Sequence, residues 1–82
     1  MNEAVLVEAR VGRDGSLRPR AFLWAGQTFT IASIGRQWTD GGDTHVLVKA
    51  AGAGPFELAF SPKTSAWRLV RTPADFGRRA HV

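Results

Sequence analysis

A period of two runs through most of this chain and restricts it to extended structure. Val5, Val7, Ala9 and Val11 alternate with Leu6, Glu8 and Arg10, as in a strand buried on one face. The run Gly12-Arg13-Asp14-Gly15 then ends it with residues that tolerate turn geometry. Similar punctuation recurs at intervals of roughly ten residues, the spacing of short strands in an antiparallel meander. A second strand reaches Trp24, and its Pro19 removes one backbone donor, which demands an edge position or a bulge. Gly26 turns the chain into a third strand, Gln27 to Ile34, rich in β formers. Asp40-Gly41-Gly42-Asp43 precedes a fourth, Thr44 to Ala51, and two glycines with Pro55 reverse the chain into a fifth, Phe56 to Phe60. Ala66 to Arg71 forms the sixth. The expected fold is all-β, a small six-stranded antiparallel meander barrel or strongly curled sheet.

One helical turn fits near the C-terminus, with Thr72 as its cap, Pro73 at its first position and Asp75 at its third. No repeat, low-complexity tract or linker divides the chain. Residues 1–72 therefore read as one barrel domain and residues 73–82 as a short turn with a flexible tail.

Hairpin register decides which residues share the core. A two-residue loop at Ala25 and Gly26 sets Trp24 opposite Gln27, Phe22 opposite Phe29 and Arg20 opposite Ile31. A three-residue loop would slip the register by one and scatter the aromatics over both faces. In the last hairpin, Phe60 against Trp67 also brings Leu58 against Leu69 and leaves Glu57 diagonal to Arg68. The expected core is Val5, Val7, Phe22, Phe29, Ile31, Val46, Val48, Phe56, Leu58, Phe60, Trp67 and Leu69, with Trp24 on its rim.

Composition narrows the function by exclusion. The absence of cysteine removes disulfides, a thiolate nucleophile and cysteine-ligated metals, and agrees with a cytoplasmic setting. No apolar run approaches the roughly 20 residues of a membrane span, and the N-terminus carries acid where a signal peptide carries base. Only His45 and His81 could serve as histidine catalysts or ligands, and no H-x-x-x-H, H-E-x-x-H or G-x-S-x-G spacing occurs. His45 reads as a surface residue, Asp40 and Asp43 as turn formers, and Ala51-Gly52-Ala53-Gly54 as a turn without the lysine or helix of a phosphate loop. The chain is thus expected to be no enzyme and to carry no metal or cofactor.

A formal net charge of +4 permits a polyanionic partner. Arg36 and Trp38, in the loop expected after the third strand, could stack on and hydrogen-bond a single-stranded base. Otherwise Trp38 plugs one end of the barrel. Arg18, Arg20, Arg68 and Arg71 could track a phosphate backbone beside them. The leading expectation is a non-enzymatic interaction module that binds single-stranded DNA weakly. The alternative is a protein-binding adaptor that takes up a partner chain on an exposed edge, at the second or sixth strand. Oligomeric state is left open.

Pro19, Phe22, Trp24, Gly26, Phe29, Ile31, Trp38, Phe56, Glu57, Leu58, Trp67 and Leu69 make a P-x-x-F-x-W-x-G, W, [YF]-E-L, W-x-L pattern. In this pattern the chain resembles a family of small, uncharacterised bacterial domains. Members of that family are similar to accessory pieces of translesion-polymerase systems, and the resemblance implies a DNA-repair or replication setting. Gln27, Thr28 and Thr30 stand where basic residues often flank the third-strand aromatic in that family.

Overall fold

The computed structural model describes residues 2–77. Six antiparallel strands, β1 (Glu3–Val11), β2 (Leu17–Trp24), β3 (Gln27–Asp40), β4 (Asp43–Ala50), β5 (Gly54–Ser61) and β6 (Ala66–Arg71), are followed by the short helix α1 (Pro73–Gly77). The strands pair in sequence order and β6 returns to β1, closing a barrel. The expected all-β barrel is the observed one. Residues 78–82, most of the expected tail, lie outside the described residues.

Turn chemistry sets the hairpins. Ala25 and Gly26 both have positive φ, 52° and 75°, and form a two-residue loop in which Trp24 pairs with Gln27 and Phe22 with Phe29, the register expected. Gly41 and Gly42, at φ 60° and 88°, make the same kind of turn between the paired Asp40 and Asp43. Pro19 is accommodated by a bulge: Glu8 pairs with Ala21 and Ala9 with Pro19, so Arg20 is the extra residue on β2.

The core follows from these registers. Phe22, Val46, Val48, Ala50, Phe56, Leu58 and Leu69 are buried, with Val5, Val7, Trp24, Phe29, Ile31, Ala53 and Trp67 packed against them. Phe22 stacks on Phe29 at 5.2 Å and meets the edge of Phe56 at 5.0 Å, while Trp24 closes the cluster at 5.9 Å from both Phe29 and Phe56. Phe60 and Trp67 form a second aromatic pair at 5.2 Å. Each such burial contributes about 1.5 to 3 kcal/mol, a large share of what a small barrel has.

Three expectations give way. β3 does not stop at Ile34 but runs to Asp40, which places Arg36 and Trp38 on a strand rather than in a loop. Its register slips twice against β4, so that Ile31, Ile34 and Gln37 align with Ala50, Val48 and Val46. A spacing of three replaces the spacing of two, because each bulge adds one residue. The pairing of β2 with β3 ends at Ala21 and Thr30, so Arg20 does not face Ile31. Beyond that point Gln37 bridges the strands: its Nε2 donates to the Leu17 carbonyl at 2.8 Å and its Oε1 accepts from the Leu17 amide at 3.4 Å. Finally, the bulge at Glu57 and Leu58 pairs Glu57 with Arg71, not diagonally with Arg68.

Candidate nucleic-acid interface

Val46 and Val48 point into the barrel, so His45 between the turn and Val46 points out. Trp38 is its cross-strand partner and therefore lies on the outer wall, not at a barrel end. The indole stacks on the imidazole at 5.3 Å with 15° between the planes, and the Arg36 guanidinium carbon lies 5.2 Å from the indole centroid. Three consecutive functional groups thus share one spot: a cation, an indole and the ring that supports it.

His45 is not the surface residue expected. It is 9% exposed and its Nδ1 donates to Glu57 Oε2 at 2.7 Å, while Glu57 Oε1 accepts from Arg71 Nε at 2.6 Å. Arg71 in turn lies 4.2 Å from the Phe76 ring of α1. His45 and Glu57 fall on the outer wall, but α1 and Trp38 cover that face, so the polar groups satisfy one another. No buried side-chain nitrogen or oxygen among the described residues lacks a hydrogen-bond partner.

A polar groove beside Trp38 is lined by Asp14, Ser16, Leu17, Gln37, Thr39 and Thr44. The turn before β2 is tied by Asp14, whose Oδ1 accepts from the Ser16 amide at 3.0 Å and the Ser16 hydroxyl at 2.7 Å. These bonds hold the Asp14 carboxyl below its ordinary value of 3.8. Arg18 folds back along this turn, close enough that a Cβ at Gly12 would stand 2.9 Å from its Nε.

The six candidate contacts do not form one surface. Arg36 and Trp38 are together, Arg18 stands at the turn that walls the groove, and Arg20 is exposed at the β2 bulge. Arg68 and Arg71 are committed elsewhere: Arg68 Nη1 donates to Asp43 Oδ2 at 2.7 Å, and Arg71 holds Glu57. Sequence reasoning missed Arg10, which stands directly opposite Arg18, and Gln37, which frames the groove. Arg10 could have been found by carrying the hairpin register through the Gly12–Ser16 turn. Among the described residues no group of three or more histidine or acidic side chains could hold a metal, and no helix is long and apolar enough to cross a membrane. No family model, curated protein or solved structure matches the chain.

Proposed function

We propose that the chain is a non-enzymatic module that binds single-stranded nucleic acid, with Arg36 and Trp38 as its centre. One observation carries this reading: an exposed guanidinium is held over an indole beside a polar groove, and no carboxylate of the described residues neutralises it. Arg36 instead offers its N–H groups to a phosphate and, carried on the indole, its planar face to a base. Arg18, at the turn beside the groove, adds a second phosphate contact, and the hydroxyls of Thr39 and Thr44 suit base edges or sugar. Arg68 and Arg71 contribute stability rather than contacts. The repair or replication setting rests on the resemblance of Pro19 to Leu69 alone.

Titration of labelled single-stranded DNA at two salt concentrations tests this. Affinity falls steeply with salt if phosphates are contacted. Trp38→Ala weakens binding by about 1 to 3 kcal/mol, and Arg36→Ala lowers the salt slope by about one. Absence of binding by the parent protein at low salt, where electrostatic attraction is strongest, refutes the reading.

A further inference from the structure

We infer that the chain pairs with a second copy of itself through the open edge of β1. The barrel closes unevenly. The β1–β6 ladder covers only Glu3, Ala4 and Val5, whereas β1 continues to Val11 with β2 as its one strand partner among the described residues. From Leu6 onward the backbone groups facing away from β2 have no ladder within these residues, the condition under which a strand recruits another chain. The β1–β2 bulge inserts its extra residue on β2, which leaves β1 itself regular. Leu6 and Val11 are 74% and 71% exposed, unusual for apolar side chains flanking a free edge.

The sequence of that edge names its partner. Val7-Glu8-Ala9-Arg10-Val11 is its own complement when read antiparallel. With Ala9 on the twofold axis, each Glu8 faces Arg10 of the other copy and each Val7 faces Val11, and the small side chain at the centre lets the strands approach. Centring on Glu8 or Arg10 instead would oppose like charges. Among the described residues neither Glu8 nor Arg10 takes part in an ion pair, and Arg10 stands opposite Arg18, a like-charge pairing that is unfavourable by itself. An incoming Glu8 beside Arg10 relieves it. The charges set the register, while the backbone ladder and the valines supply the affinity. This inference is independent of the nucleic-acid reading.

Sedimentation equilibrium of the full chain and of exposed-charge variants tests it, with circular dichroism to confirm that each variant folds. The parent protein dimerises. Glu8→Arg and Arg10→Glu each oppose like charges twice and weaken the dimer about tenfold or more. An equimolar mixture of the two variants restores dimer, as a heterodimer, and so does the double swap Glu8→Arg/Arg10→Glu. A parent that stays monomeric to roughly millimolar concentration, the range of weak association, overturns the inference. So does a dimer that survives either single reversal, or a mixture that fails to associate.

Discussion

The Glu57 carboxylate joins the barrel wall to the support beneath Trp38, and removing it should be measurably costly. Glu57→Ala deletes two contacts at once, the 2.7 Å bond from His45 Nδ1 and the 2.6 Å bond from Arg71 Nε. His45 is buried, so its abandoned N–H loses about 1 to 3 kcal/mol. The Arg71 side chain is 33% exposed and water replaces much of what it loses, about 0 to 1 kcal/mol as for other surface pairs. The expected cost is about 1 to 4 kcal/mol, out of a total near 4 to 12 kcal/mol for a domain of this size. Urea denaturation of the parent, Glu57→Ala, His45→Ala and the double variant closes a thermodynamic cycle. The second substitution should cost less once the first partner is gone, with a coupling of about 0.5 to 3 kcal/mol. Costs that add to within about 0.3 kcal/mol would show that the two side chains do not interact, and the account of why Trp38 sits on a fixed ring would fail.

Phe22→Ala should destabilise the barrel by about 3 to 5 kcal/mol, since Phe22 is fully buried between Phe29 and Phe56; a thermal melt within a few degrees of the parent contradicts its place in the core. Ala25 has φ 52°, which costs Ala about 1 kcal/mol but is eased for Asn by its side chain bonding the local backbone, so Ala25→Asn should raise the urea midpoint. The Ser16 amide should report the ionisation of Asp14 by nuclear magnetic resonance, with a midpoint below 3.8 because its hydrogen bonds favour the charged form. The sign follows: the turn gains from Asp14 at neutral pH and loses that gain as the pH falls through the lowered value. A midpoint at or above 3.8 would mean that the Ser16 bonds are absent in solution.

Where the backbone alternates strictly, the fold was legible from residues alone. Both tight hairpins of aromatic residues, Phe22 with Phe29 and Phe60 with Trp67, follow from turn length and the need to keep large apolar groups on one face. Legibility ends at the bulges. Nothing local in Ala32 to Arg36 announces that two extra residues will be absorbed, so a period-two reading stops β3 at Ile34 and puts Trp38 in a loop. His45 was misread for a related reason. Exposure on the outer wall of a barrel depends on what folds across it, and α1 and Trp38 come from distant parts of the chain. Arg68 and Arg71 looked equivalent to Arg18 because charge is visible in a sequence and its partner is not.

The two longest strands, β3 and β1, overrun their neighbours, and the barrel treats the two surpluses differently. On the β3 side the Gln37 amide takes the place of a ladder for Leu17, donating to its carbonyl and accepting from its amide. On the β1 side no side chain of the described residues does this for residues 6 to 11, and the proposed second strand is what would cover that edge. Backbone polar groups must be satisfied by protein or by water, so the two seams should differ in hydrogen exchange. The Leu17 amide should be protected at every protein concentration, because its partner is in the same chain. Within Leu6 to Val11, the amides that face β2 should be protected in the same way, whereas those facing outward should exchange freely in dilute solution and slow as concentration rises. Concentration-independent exchange of the outward amides would mean that the edge is never covered by another copy, and water alone would then complete this half of β1.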